Sequence, residues 1–150
     1  MQTFAGLSDF VNAAGRELGP TDWVEITQDR VDMFADATDD HQWIHTDLQR
    51  AADGPFGGTI AHGLLTLSLL PRFMEEQYRV DGVTSAINYG FNKIRFISPV
   101  RVGARVRGRA QIAEVTPIGE AVQATMVTTI EIEGIDKPAA VIESIVRYHA

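Results

Sequence analysis

The sequence predicts an α+β domain in which one long apolar helix packs beside a strongly curved antiparallel sheet, and three observations carry that expectation. Helical periodicity occupies the first half of the chain, where apolar residues recur three and four apart. A denser apolar stretch runs from His62 to Tyr78. After Gly82 the pattern changes to period two, most clearly where Val122, Ala124, Met126, Thr128, Ile130 and Ile132 alternate with Gln123, Thr125, Thr129 and Glu131. Helices first and strands after, joined by short connections, make an antiparallel α+β arrangement.

Taken in order, Phe4, Leu7, Phe10, Val11 and Ala14 have the spacing of a short amphipathic helix over Phe4 to Leu18. Thr27 reads as an N-cap, and Asp29 stands in the first turn, where a carboxylate meets the positive end of the helix dipole. Ile26 and Val31 sit at staple positions, and Val31, Phe34 and Ala35 form the inward stripe. That helix is expected to stop near Ala37, because Thr38, Asp39 and Asp40 favour a turn. Asp53-Gly54-Pro55 and Gly57-Gly58 mark an irregular loop. Beyond it Leu64, Leu65, Leu67, Leu69, Leu70, Phe73 and Met74 wrap around most of a helix surface, the mark of a buried central helix. Pro71 removes a backbone donor there and predicts a kink or break. Strands follow at Ala104 to Val115, Val122 to Ile132 and Pro138 to Tyr148, with one or two more between Val83 and Ile97.

The chain of 150 residues, 45% hydrophobic, is the size of one domain, 1–150, with a core of its own. A net charge of -7 argues against generic nucleic-acid binding, which needs a basic footprint. Zero cysteines exclude disulfides, a thiolate nucleophile and thiolate-bound zinc. Met1 to Asn12 lacks the pattern of a signal peptide, and the apolar run around Leu64 to Leu70 is too short to cross a bilayer. A cytoplasmic protein with no membrane contact is the expectation. The charges are unevenly spread: Lys93, Arg95, Arg101, Arg105, Arg107 and Arg109 follow one another with no acid between them. Such a segment suits an anionic ligand, a phosphate-bearing carrier for instance. Arg105, Arg107 and Arg109 alternate with Val106, Gly108 and Ala110, however, which is the pattern of a solvated strand face.

The densest polar cluster is Asp36, Asp39, Asp40, His41 and His45. A carboxylate and an imidazole are the usual pair for moving protons near neutral pH, and the four residues between Asp40 and His45 leave room for a turn that brings them together. On spacing alone, Asp40 as a turn cap and His45 bonded to backbone is the better account. His41 and His45 have the spacing of two metal ligands on a helix, but Gln42 stands where a zinc hydrolase needs Glu and the segment reads as turn, so no metal is expected. Ile60-Ala61-His62-Gly63 opens the apolar helix, and free backbone donors at a helix start can hold a carbonyl oxygen as charge develops on it.

Together these residues resemble the MaoC-like, or hydratase 2, family of (R)-specific enoyl-CoA hydratases. The family pattern is an aromatic residue, a short spacer, then Gly-Asp-x-Asn-Pro-aliphatic-His and, five residues on, a small residue. Here Phe34 is followed by Asp39-Asp40-His41-Gln42-Trp43-Ile44-His45, with Ala51 after the gap. Asp40, Ile44, His45 and Ala51 match, whereas Asp39, Gln42 and Trp43 replace Gly, Asn and Pro. Ile60-Ala61-His62-Gly63 matches the family's Ile-x-His-Gly, and Phe96 through Gly103 resembles its next strand and turn, so the likeness runs from Val24 to Tyr148.

The resemblance implies a hotdog fold, an antiparallel β-sheet wrapped around a central α-helix, and a homodimer. It implies reversible hydration of a trans-2-enoyl-CoA to a (3R)-3-hydroxyacyl-CoA in fatty acid metabolism, with no cofactor beyond the coenzyme A of the substrate. Asp40 would hold and deprotonate the water, and His45 would position it and deliver a proton to C2. Gly63 and His62 would lie at the thioester oxygen, and Lys93 and Arg95 are candidates for the carrier's phosphates. Related hotdog domains act as acyl-CoA thioesterases or as non-catalytic acyl-thioester-binding subunits, the alternatives to be distinguished.

Overall fold

The computed structural model describes all residues, 1–150. The half of the chain predicted as strand forms four long strands: β5 (Ser85–Phe96), β6 (Arg105–Ile118), β7 (Ala121–Ile132) and β8 (Ile135–His149). They pair antiparallel in the order β6-β7-β8-β5. Two short strands, β2 (Glu17–Leu18) and β3 (Val24–Glu25), both pair with β6 and complete a six-stranded sheet. Alternation is kept along β7, whose even-numbered residues Ala124, Met126, Thr128, Ile130 and Ile132 are buried. β5 is the end strand, and it stays almost entirely exposed.

The first expected helix does not form as one. Phe4 ends a strand, β1 (Gln2–Phe4), which pairs parallel with β4 (Tyr78–Val80); a single turn, α1 (Leu7–Phe10), and a 3₁₀ turn (Val11–Ala13) follow. Gly6 and Gly15 have φ of 140 and 84, values outside any right-handed helix, and they interrupt the pattern. The apolar residues still go inward: Phe4, Phe10, Ala13 and Leu18 join Tyr78, Ile112, Met126 and Tyr148 in one core cluster. Helix α2 (Gln28–Thr38) begins as expected, with the Thr27 side chain accepting from the Arg30 amide and Asp29 in the first turn.

The central helix is present but broken. It runs as α5 (Gly63–Ser68) and α6 (Leu70–Gln77), after the short α3 (Trp43–Thr46) and α4 (Leu48–Ala52). The break falls at Leu69 rather than at Pro71, and Pro71 lies in the first turn of α6, where an amide hydrogen has no helical partner to lose. Leu65, Leu69, Leu70 and Phe73 press into the sheet against Val106, Ile130, Ala140 and Ile142. The apolar residues do not all go inward, for Leu64 is 60% exposed. The sheet curves around this broken helix, and the start of α5 comes to lie beside α3 and the turn that precedes it.

Candidate active site

Helix α2 ends in a turn built by an unusual residue. Asp39 has φ 59, the left-handed conformation that glycine adopts at least cost and that Asp tolerates better than most side chains. A Gly-to-Asp departure from the family pattern at this position is therefore conformationally workable. Asp40 follows with its side chain half exposed, and its Oδ1 accepts from the Gln42 amide at 3.4 Å. His41 turns away and pairs with Asp36 at 2.8 Å, which raises its pKa above the ordinary value. The structure therefore does not bring His41 and His45 together as metal ligands.

His45 lies on α3 and is only 6% exposed. Its Nδ1 is 2.7 Å from the Ile60 carbonyl oxygen. A carbonyl only accepts, so Nδ1 carries the proton and the neutral ring has its lone pair on Nε2. Burial pushes the His45 pKa below the ordinary 6.5; the Ile60 bond and Asp40 oppose that shift, and His62 adds to it. The His45 main chain is tied in turn by Gln28, whose side-chain amide donates to the His45 carbonyl and to Asp32 while accepting from the Thr59 hydroxyl. Gln28 was not singled out from the sequence, and Ile60 entered only as part of the Ile60-Ala61-His62-Gly63 motif, since an amide on a helix and a backbone carbonyl leave no signal of these roles.

His62 caps α5 and is 3% exposed. Its Nε2–H donates to the Asp40 carbonyl at 2.9 Å, and its ring lies on that of His45 with centroids 3.8 Å apart and planes 24° from parallel. One nitrogen or oxygen from each of Asp40, His45 and His62 falls within 4.8 Å of the others. This trio does not suit a metal ion. Two lone pairs lie in nearly parallel, stacked ring planes, which meet far beyond a metal–nitrogen bond of about 2.1 Å. No direct hydrogen bond joins Asp40 to His45. A span of up to 4.8 Å between polar atoms is instead the span that one water bridges with two ordinary hydrogen bonds.

Beside this group opens a cavity of about 400 Å³, lined by His45, Phe56, Gly63, Thr66, Phe96 and Ser98 among others. Gly63 is in ordinary helical conformation, so backbone freedom does not explain it. Space does: a Cβ there would come within 3.2 Å of the Phe96 ring. Its amide, first in α5, has no partner within the helix, and the residue lines the cavity. Of the four residues expected at the site, His45 and Gly63 line this cavity, and Asp40 and His62 adjoin it through His45. Trp43 also stays out of the cavity; it packs on Gly54, with the Arg50 guanidinium 4.3 Å from its ring centroid.

The basic segment divides. Arg105 pairs with Glu133, and Arg107 and Arg109 pair with Glu131, the solvated strand face that their alternation predicts. Lys93 and Arg95 stand opposite Glu143 and Val141, on the face of the sheet away from Ile94 and Phe96. The pleat thus keeps both candidates off the wall that Phe96 lines. Arg101 lines a second cavity of about 350 Å³ that shares Phe56, Ser98 and Pro99 with the first. Its guanidinium donates to the Gly57 carbonyl at 2.6 Å.

The MaoC like domain family matches residues 9–134. A 3-hydroxyacyl-thioester dehydratase Z of Mycobacterium tuberculosis is 58% identical over 151 residues, covering 100% of both chains. Nodulation protein N of Rhizobium leguminosarum bv. viciae is 45% identical over 136 residues, 89% of this chain and 84% of that one. Among solved structures, the (R)-hydratase from A. caviae involved in PHA biosynthesis superposes with a TM-score of 0.73 at 26% identity, covering 89% of this chain and 94% of that one. The R-hydratase PhaJ1 from Pseudomonas aeruginosa, at 21% identity, superposes with a TM-score of 0.77 over 97% and 86% of the two chains and shares the fold. With the sheet-wrapped helix and the Asp40–His45 turn already in view, these likenesses make the chain a hotdog protein of the MaoC-like family.

Proposed function

We propose that this protein is a hydro-lyase that adds water reversibly to the double bond of a trans-2-enoyl-CoA, giving a (3R)-3-hydroxyacyl-CoA. The observation that carries the reading is the polar group: Asp40 and His45 each place a polar atom within 4.8 Å of the other, and His45 and Gly63 line the adjoining cavity. The full-length relative named as a 3-hydroxyacyl-thioester dehydratase supports the reaction class.

A water between Asp40 and His45 donates one hydrogen to the carboxylate and one to Nε2, which leaves an oxygen lone pair for C3. As the C–O bond forms, the electrons of the double bond move onto the thioester oxygen, where the Gly63 amide stabilises them. Asp40 holds and polarises the water. Because the neutral His45 ring keeps its own proton on Nδ1, the proton it delivers to C2 is the one Nε2 has just taken from that water. Oxygen and proton then come from the same side of the substrate, and the nearby Asp40 charge favours the transient imidazolium.

No cofactor enters this sequence; coenzyme A comes with the substrate, and its phosphates are assigned to Arg101, which lines the adjoining cavity. The chain forms a homodimer through β5, an end strand with free backbone groups that exposes Ile87, Tyr89 and Phe91. Sedimentation at twice the chain mass, lost in Phe91→Lys, tests that assembly. No helix is long and apolar enough to cross a membrane, and the reaction is assigned to the cytoplasm. The activity test is loss of the conjugated enoyl-thioester absorbance of crotonyl-CoA and longer trans-2-enoyl-CoAs, read alongside free thiol. Asp40→Asn, which takes the charged acceptor from the water, and His45→Ala, which removes the proton carrier, should each slow hydration by at least about 10²-fold, the scale of general acid–base catalysis. Thiol release in step with the absorbance change would mean a thioesterase, and an unimpaired Asp40→Asn would remove the assignment.

A further inference from the structure

We propose that His62 is a positioning residue for this reaction, holding the Asp40 main chain through Nε2–H and lying flat on His45 so that the reacting carboxylate and imidazole keep their spacing. The inference rests on the hydratase reading of the site, and it gives His62, which is 3% exposed, a role through Asp40 and His45 rather than through the substrate.

The geometry is specific to His62. Its Nε2 reaches the Asp40 carbonyl at 2.9 Å and stands 4.0 Å from the Asp40 carboxylate. On its other side the ring stacks on His45 and meets Phe34 with a centroid separation of 4.9 Å. Thus one side chain touches the turn after α2, the ring on α3 and the start of α5, the three pieces that must stay in register. The remaining nitrogen, Nδ1, is buried without a hydrogen-bond partner. Such a lone pair is costly unless the ring is placed for another reason. A Phe would fill the same space without it, so the polar ring is kept for its donor.

The stack also bears on protonation. The titratable groups that face His45 are His62, from the start of α5, and Asp40, from the turn after α2. Burial disfavours a charge on His45 most, and the His62 ring, its centroid 3.8 Å away, adds to that effect. His62 therefore helps to keep His45 neutral, with Nε2 free to accept.

Two variants separate the tasks. His62→Gln places an amide donor near the position of Nε2 but removes the titratable ring. His62→Phe keeps a flat ring on His45 but removes the donor to Asp40. With His62→Phe, kcat for enoyl-CoA hydration should fall by about 10²-fold across the pH range, the scale of an ångström-sized displacement of a reacting group. His62→Gln should restore much of that loss at pH 8, while the acid limb of kcat/KM and the NMR titration of the His45 ring both move to higher pH. Wild-type kcat in His62→Phe, or an unmoved His45 titration in His62→Gln, overturns the proposal. The NMR titration reads the stack even where a variant is inactive, and thermal melts report whether His62→Phe folds. Failure of the wild-type protein to hydrate any enoyl-CoA defeats the hydratase reading instead, so the two failures are distinguishable.

Discussion

Replacing Gly63 by Ala tests the oxyanion assignment with little disturbance to the fold. The new Cβ would stand 3.2, 3.2 and 3.3 Å from three ring atoms of Phe96, a few tenths of an ångström inside ordinary contact at about 3.5–4.0 Å. Phe96 is half exposed, so its ring can yield. Gly63 has no left-handed backbone to lose, and Ala gains up to about 1 kcal/mol over Gly in helix propensity. Stability should therefore stay within about 1 kcal/mol, or about 2–4 °C in Tm for a chain of this size. Activity is different, because the methyl group occupies the strip of cavity between the amide and Phe96, where the thioester oxygen must come within hydrogen-bond reach. Losing one such donor costs about 10²–10³ in kcat, or roughly 3–4 kcal/mol of transition-state stabilisation. Steady-state hydration of crotonyl-CoA, with a thermal melt of the same preparation, measures both quantities. A folded variant with kcat/KM within about threefold of wild type would show that the Gly63 amide does not face the developing charge.

Gly108→Ala should do the reverse: its Cβ would meet the fully buried Phe73 ring at 2.8 Å, so overpacking should cost about 1–3 kcal/mol in a urea titration. The buried Tyr78–Tyr148 hydroxyl pair should make the protein sensitive to alkali. Burial raises Tyr148 from 10.0 to about 12, against the opposing Tyr78 bond, and burial followed by the Tyr148 charge raises Tyr78 as well. The folded chain holds these protons more tightly, so their contribution is complete below pH 10 and is lost as pH climbs towards about 12. Tyr148→Phe should flatten that loss in melts across the window, and an unchanged slope would contradict it. Arg101→Ala should raise KM for enoyl-CoA several-fold with kcat preserved, and should match wild type on an N-acetylcysteamine thioester that lacks the phosphates; equal KM values on the CoA substrate would remove Arg101 from the phosphate site.

Local chemistry was enough for the elements that depend on neighbours in the chain. The alternation of β7, the Thr27 cap and the apolar start of the central helix could be read directly, because period and capping act over a few residues. The first expected helix failed for a reason of the same local kind, two glycines whose backbone conformation overrode the apolar spacing. The break at Leu69 instead of Pro71 was less legible, since proline marks a helix start as well as it marks an interruption.

The sequence by itself determined which residue types were available: Asp40, His45, His62 and Gly63, in an order that resembles one family. Tertiary structure decided what each is for. The Ile60 carbonyl sets the protonated nitrogen of His45, the stack and the Asp40 carbonyl hold the His62 ring, and strand pleating turns Lys93 and Arg95 away from the face that Phe96 occupies. These outcomes depend on groups 15 or more residues apart meeting within hydrogen-bond or van der Waals range. A linear pattern encodes the spacing of side chains along the chain, and only the curved sheet closing on the broken helix fixes the directions in which their lone pairs and protons point.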